Sequence, residues 1–414
     1  MNTTQKNDPL ASVKLPEYRS LLMGRFLFIM GLRMMGTLVG WWIYNLTDDP
    51  FAIGLVGLAA VIPAISLSLY AGHRIDNSEK RKLLLQCVFL YAIAVMIFIA
   101  LSGHAASGYF SRHNIALLIY AVIFCTGIIR AFSGPIFGVM LASIVPKLHL
   151  QNATTWNQAT FLTASVSGHA IGGFLIAAIG IHNTLIFICC LIIIAFLFFL
   201  RLSPKVSLNL STDKKTLESV REGLKFVFTT KELLGAISLD LFAVLFGGAV
   251  AMIPVYARDI LKVGPEGFGF LNGAADMGAI ISVIILTFSP LKKKQGKTLL
   301  FAVAGFGTCI IIFGLSKLFF LSFVALLFAG MLDGVSVVIR GTITQLKTPD
   351  NMRGRVMSVT SMFINSSNEL GQFESGAAAR LMGTVTSVVF GGVMTLLVVA
   401  GTWIKAPGLR KMEY

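Results

Sequence analysis

"AGHRIDNSEKRK", residues 71–82, stands between two long apolar runs and gathers Arg74, Lys80, Arg81 and Lys82 around Asp76. What those charges do depends on the solvent around the flanking runs. Of the 414 residues, 56% are hydrophobic and 13% charged, whereas a soluble chain carries roughly 25% charged residues. The composition is that of a membrane protein. About twelve apolar runs recur along the chain, each long enough to cross roughly 30 Å of hydrocarbon as a helix. They fall near 21–44, 51–71, 83–101, 115–145, 155–179, 183–200, 234–257, 267–289, 298–316, 319–345, 356–379 and 383–404. Each is expected to be helical, because a backbone in lipid must satisfy its hydrogen bonds within the segment. The expected class is therefore all-α, with the 71–82 stretch as the loop between spans 2 and 3.

The net charge of +15 could suggest nucleic acid in a soluble chain, but topology accounts for it here. With the N-terminus in the cytoplasm, about 25 of the 34 Lys and Arg fall in cytoplasmic segments and about five outside, as the positive-inside rule expects. Both termini are then cytoplasmic, and no nucleic-acid partner is expected. The polar start "MNTTQKNDPL" precedes no cleavage-type site, so no signal peptide is expected. Cys87, Cys125, Cys189, Cys190 and Cys309 lie within apolar runs. No CxxC or Cys/His spacing accompanies them, so neither structural disulfides nor a bound metal is expected. There is no GxxxxGK[ST] loop, hence no sign of ATP as driving force or of a cofactor. The polar segments hold no nucleophile, base and oxyanion constellation, so the chain is not expected to be an enzyme.

The longest polar stretch, 201–232, separates six runs from six. It reads as a cytoplasmic linker between an N-terminal half, 1–200, and a C-terminal half, 233–414. Sliding the sequence on itself by about 203 positions superimposes Gly127 on Gly330, Gly138 on Gly341, Pro146 on Pro349, Gly168 on Gly371 and Gly173 on Gly376. Glycines fix close packing and prolines fix helix ends, so their recurrence at one offset argues for duplicated, pseudo-symmetric halves.

The run "GWWIYNLTDDPFAIGLVGLAAVIPAISLSLYAGHRIDNSEKRKLLL" (40–85) and "TPDNMRGRVMSV" (348–359) resemble the major facilitator superfamily. Within it they are most similar to the branch of drug and siderophore exporters that includes the enterobactin exporter. The resemblance implies twelve transmembrane helices in two six-helix halves. It also implies a conformational latch at the 71–82 loop, where Gly72, Asp76, Arg81 and Lys82 match the family signature and Asn77 replaces its usual Arg. Asp76 can pair with neighbouring guanidinium groups or cap a helix N-terminus; the basic residues could equally be headgroup anchors.

An ionisable group deep in a bilayer costs several kcal/mol, so each one there is a functional candidate. Arg33 lies in span 1, Arg130 in span 4, Asp240 in span 7, Asp276 in span 8, Asp333 and Arg340 in span 10, and Glu369 and Glu374 in span 11. Spans 3, 6, 9 and 12 have uncharged interiors. That pattern fits helices 1, 4, 7 and 10 lining a polar cavity, as the family resemblance implies. Arg33, Arg130 and Arg340 are expected as substrate-cavity residues. Arg130, with Gly134 four residues on, is similar to the span 4 motif of proton-coupled exporters. Asp333, Glu369, Asp240 and Asp276 are the candidates for proton coupling, Asp333 and Glu369 foremost. Asp333 stands at the symmetry mate of Arg130. It is seven residues from Arg340, a separation that reads as too long for a direct partnership within one helix. "GHAIGG", 168–173, is similar to a span 5 exporter motif; Gly168, Gly172 and Gly173 make a small-residue packing face around His169. Trp41, Trp42 and Tyr44 read as an interfacial aromatic belt.

The expected function is a secondary active exporter in the bacterial inner membrane. It would be a monomer, acting as a proton antiporter that moves a bulky, siderophore-like or drug-like small molecule by alternating access. A carrier of lysophospholipid or other lipid from the same superfamily is the alternative.

Overall fold

The computed structural model describes residues 10–76, 78–204, 216–289, 294–349 and 352–413. Among them the chain is almost wholly helical. The elements are α1 (Pro16–Thr47), α2 (Pro50–Asp76), α3 (Lys80–Ser102), α4 (His104–Tyr109), α5 (Arg112–Ile144), α6 (Leu150–Leu200), α7 (Thr216–Thr229), α8 (Lys231–Phe246), α9 (Ile253–Val255), α10 (Gly264–Phe288), α11 (Gln295–Leu315), α12 (Phe319–Lys347), α13 (Arg353–Met382), α14 (Thr384–Lys405) and α15 (Pro407–Arg410).

Among the described residues ten helical stretches are long and apolar enough to cross a membrane, against about twelve runs read from hydropathy. Two elements explain the difference. The 51 residues of α6 would measure roughly 77 Å if straight, more than twice a bilayer core. Gly180, at φ 77 and ψ 174, breaks it into two spans, and only glycine adopts that conformation readily. α13 is long enough to cross but carries Glu369, Glu374 and Arg380, which lower its hydropathy. Counting α6 twice and adding α13 restores the twelve.

Packing groups the chain into two units, Met1–Val39 with Ile62–Thr212, and Gly40–Val61 with Asp213–Tyr414. In the first, α3 packs on both α5 and α6. Phe28 of α1 meets Tyr91 edge-on, with ring centroids 5.3 Å apart, and lies 5.8 Å from Phe137. In the second, α12 packs on α10 and α11, and α8 on α13 and α14. The α10–α12 crossing is close because a Cβ on Gly334 would lie 3.2 Å from the Ala279 Cα. α7 is amphipathic and lays Val227 into a cluster with Leu233, Ile237, Val356 and Val359. Arg355, within the 348–359 motif, pairs there with Glu222 of α7. The stretch 205–215 of the expected linker lies outside the described residues.

The last turns of α1 and the first turns of α2 belong to the second unit, and glycines let α2 approach α13 closely. A Cβ on Gly54 would stand 3.2 Å from the Gly376 Cα, and one on Gly57 would stand 2.7 Å from the Glu369 carbonyl oxygen. Trp41, Trp42 and Tyr44 are buried at this end, and Trp41 stacks on Phe268 at 5.6 Å. This corrects the aromatic-belt reading: these rings fill a protein contact rather than face the headgroups. Composition cannot tell which way the rings of an apolar helix end will face.

Candidate functional site

Two of the intramembrane acids of the second unit, Asp240 and Asp333, converge on one guanidinium. Arg340 of α12 is buried, and its side chain leans back toward the helix N-terminus, as helical side chains do. Its Nε donates to the Ser336 carbonyl at 3.3 Å. One Nη then pairs with the Asp240 carboxylate of α8, and the other lies 3.6 Å from Asp333 Oδ1. The expectation that seven residues is too long a separation for this pair is therefore wrong. Two turns of backbone are roughly 10 Å, but an extended arginine directed toward the preceding turns covers most of that.

The two acids differ in setting. The Asp240 side chain is only 6% exposed, whereas that of Asp333 is 46% exposed. Asp240, Asp333 and Ser336 share with Val303, Phe306 and Leu332 a cavity of about 10 Å³, room for about one water molecule. Asp276 is half-buried on α10 and Glu369 half-buried on α13. The backbone of Glu369 forms part of the Gly57 crossing. Glu374 lies 3.5 Å from the Ser375 hydroxyl.

In the first unit, Arg33 lies over the Phe161 ring, 5.4 Å from its centroid. A Cβ on Gly168 would be 2.7 Å from the Arg33 Cβ, and one on Gly172 would be 3.2 Å from the Met34 Cα. The 168–173 motif thus seats span 5 against α1. His169 Nδ1 is 2.8 Å from Thr37 Oγ1, and Gly173 is buried. The symmetry-related Gly371 makes the matching contact in the second unit: a Cβ there would be 2.8 Å from the Val244 carbonyl oxygen of α8. Arg130 is exposed on α5, within electrostatic reach of the Tyr91 hydroxyl, and the neighbouring Ser133 is buried.

At the 71–82 loop, Gly72 and Asp76 fall within α2, but the surroundings of Gly72 and the Asp76 side chain lie outside what is described, as does Asn77. Among the described residues, the carboxylate that caps α3 is Glu79: Oε1 accepts from the Arg81 amide at 2.9 Å and Oε2 from the Lys82 amide at 2.8 Å. Arg81 Nη2 donates to the Leu200 carbonyl at 2.7 Å, tying α3 to the end of α6, while Lys80 Nζ donates to the Ile75 carbonyl.

A second ionic cluster escaped the sequence reading. Arg258, in a short π-helical turn over Tyr256–Ile260, lies 4.1 Å from the centroid of the Tyr44 ring. It donates to Asp48 at 2.6 Å, to Asn45 Oδ1 at 3.1 Å and to Asp259 at 2.8 Å. The Tyr44 hydroxyl in turn donates to Asp259, and Arg380 pairs with Asp49 at 3.5 Å. The available signal was the "DD" of the loop after span 1 and the "RD" of the loop after span 7, oppositely charged residues in symmetry-related loops.

Residues 21–372 match the family described as Major Facilitator Superfamily. The chain belongs to this superfamily. It is therefore a multi-pass membrane transporter with a small-molecule substrate, not an enzyme. It is 21% identical over 398 residues to the uncharacterized MFS-type transporter YfmI of Bacillus subtilis strain 168, covering 92% of this chain and 94% of that one. It is 24% identical over 384 residues to the enterobactin exporter EntS of Escherichia coli O1:K1 / APEC, covering 92% and 90%. In fold it is similar to a variant of the nucleoside transporter NupG, with a TM-score of 0.74, 13% identity and coverage of 94% and 99%. It is also similar to a POT family transporter in complex with 5-aminolevulinic acid, with a TM-score of 0.73, 13% identity and coverage of 95% and 96%. The all-α major facilitator fold follows.

Proposed function

We propose that this transporter is a proton-coupled exporter that moves a bulky organic solute, siderophore-like or drug-like, out of a bacterial cytoplasm by alternating access. The observation that carries the reading is the cluster in which buried Asp240 and Arg340 meet the half-exposed Asp333. Two carboxylates against one guanidinium leave one negative charge uncompensated among the three, and a proton is the smallest species that can balance it. Both acids line the small cavity, but Asp333 is the more exposed and is the better placed to exchange a proton with water. Arginine keeps its charge throughout, so Arg340 holds the pair while Asp333 cycles. Glu369 is the second candidate, with Asp276 behind it; Arg33 and Arg130 would supply positive charge to an anionic or polar solute. Export, rather than uptake, is supported by the similarity to the enterobactin exporter over most of both chains.

In this reading both termini are cytoplasmic, as the lysine and arginine distribution favours. Gly72, Asp76 and Arg81 then belong to a latch on the cytoplasmic side. Efflux of a panel of siderophores and toxic compounds, from a strain lacking its own exporters, tests the reading at ~pH 6 to 8. Asp333→Asn should abolish uphill efflux and spare downhill exchange. If Asp333→Asn and Glu369→Gln each retain full uphill transport, these carboxylates do not couple protons, and a facilitator or lipid carrier replaces the antiporter.

A further inference from the structure

The groove beneath the 71–82 loop joins Arg81 of the proposed latch to an apolar wall that the latch does not explain. Glu79, Arg81, Lys82, Leu85, Gln86 and Phe89 of the loop and α3 line it together with Phe196 of α6, enclosing about 380 Å³. Its polar end is basic. Glu79, the carboxylate among these lining residues, caps the first amides of α3, so among the described residues Arg81 and Lys82 face the groove with no acid paired to them. Arg81 has one Nη on the Leu200 carbonyl, but its Nε is buried with no hydrogen-bond partner among the described residues. Lys82 is exposed. The other end is apolar: Phe89 is 54% exposed and Phe196 half-buried.

The vertical order matters as much as the composition. Arg81 and Lys82 sit in the first turn of α3, where the polar loop gives way to the apolar run. Phe89 lies two turns further in, about 12 Å along the helix. A cation pair at the membrane boundary above an apolar wall of that depth matches a phosphate joined to acyl chains, and it matches neither a free anion nor a wholly apolar solute.

We infer that this groove is a binding site for an anionic phospholipid. The phosphate lies between the Arg81 guanidinium and the Lys82 ammonium, and an acyl chain lies along Leu85, Phe89 and Phe196. A lipid seated there bridges α3 and the end of α6, reinforcing the contact that Arg81 already makes with Leu200.

Native mass spectrometry of the full chain in detergent, titrated with phosphatidylglycerol, phosphatidylcholine or inorganic phosphate, tests the inference. Each basic group near an anionic headgroup is worth about fivefold in affinity. Lys82→Gln should therefore weaken phosphatidylglycerol adducts about fivefold, and Arg81→Gln with Lys82→Gln about thirtyfold, down to the level of phosphatidylcholine. Phe89→Ser keeps both charges and should weaken the lipid adduct several-fold. Lys82→Gln alters only an exposed side chain, so its result stands even if the double variant folds poorly. Equal retention of the two lipids by the unmodified chain would overturn the inference. So would an undiminished phosphatidylglycerol adduct in Lys82→Gln, or displacement of the lipid by inorganic phosphate at matching concentration, which would indicate a free-anion site.

Discussion

The second unit holds two arginine-centred clusters of similar membership and opposite setting. Arg340 is enclosed with Asp240 in the middle of a helical packing and shares Asp333 with a small cavity. Arg258 holds Asp48, Asp259 and Asn45 at the helix ends, and there Asp48 is 64% exposed. Asp48 and Asp259 are open to water, which can replace them as partners of Arg258, so those ion pairs contribute little net stability. Nothing can replace Asp240 for Arg340 without leaving a bare charge inside the fold. The lesson is that the number of ion pairs drawn around an arginine says little until the exposure of each partner is known. The tighter constraint lies with the arginine that has fewer partners.

The largest effect should therefore come from removing the enclosed cation. Arg340→Met leaves Asp240 and Asp333 facing each other without a counter-charge. It should cost about 3–5 kcal/mol of stability, read as a loss of folded yield and a lowered Tm in detergent. A Tm within a degree or two of the unmodified chain would mean that the buried cluster is as dispensable as an exposed one. Asp240→Asn should come next at about 2–3 kcal/mol, the worth of a buried hydrogen bond to a charged group. Asp333→Asn, half exposed, should change Tm little while changing transport. If the stability order of the two aspartates is reversed, Asp333 is the structural partner and Asp240 the exchanging one.

Much of this arrangement was legible in the sequence. An ionisable residue inside an apolar run announces itself, so Asp240, Asp333 and Arg340 could be picked out without coordinates. Their mutual pairing could not: helical rise alone undervalues how far an arginine reaches when it leans toward the preceding turns. The repeat of glycines at an offset of about 203 marked Gly168 and Gly371 as equivalent, and each does pack its helix against span 1 or span 7 of its own unit. Glu79 was passed over because glutamate is not a favoured N-cap, so the loop offered Asp76 as the obvious acid. The Arg258 cluster was hidden for another reason. Its residues lie in polar loops, where charge is unremarkable, and only the fold brings positions some 210 apart into contact.

Between the two clusters runs the glycine crossing of α2 on α13, which tests whether the helix ends around Arg258 are held by packing rather than by charge. Gly57→Ala sets a methyl group 2.7 Å from the Glu369 carbonyl oxygen, where backbone must shift. Overpacking of this kind costs about 1–3 kcal/mol. The expected result is a Tm loss smaller than that of Arg340→Met and larger than that of any single change at Arg258. A silent Gly57→Ala would leave the ionic contacts as the main tie between these helices.

The smallest effect is expected at Arg258 itself, and it separates electrostatics from packing most cleanly. Arg258 lies over the face of Tyr44 as well as beside Asp48, so Arg258→Gln removes both a cation over a ring and an exposed ion pair, together about 1 kcal/mol or less. Asp48→Asn removes only the ion pair and should cost a few tenths of a kcal/mol. Salt should reproduce the Asp48 effect: at about 1 M the screening length falls to roughly 3 Å, so added salt should narrow the Tm gap between Asp48→Asn and the unmodified chain. The gap for Arg340→Met, set inside the fold, should persist. A double-mutant cycle of Arg258→Gln with Asp48→Asn, run at low and high salt, measures the coupling directly. A salt-insensitive coupling above about 2 kcal/mol would place the Arg258 cluster in the same energetic class as the buried one and erase the contrast between them.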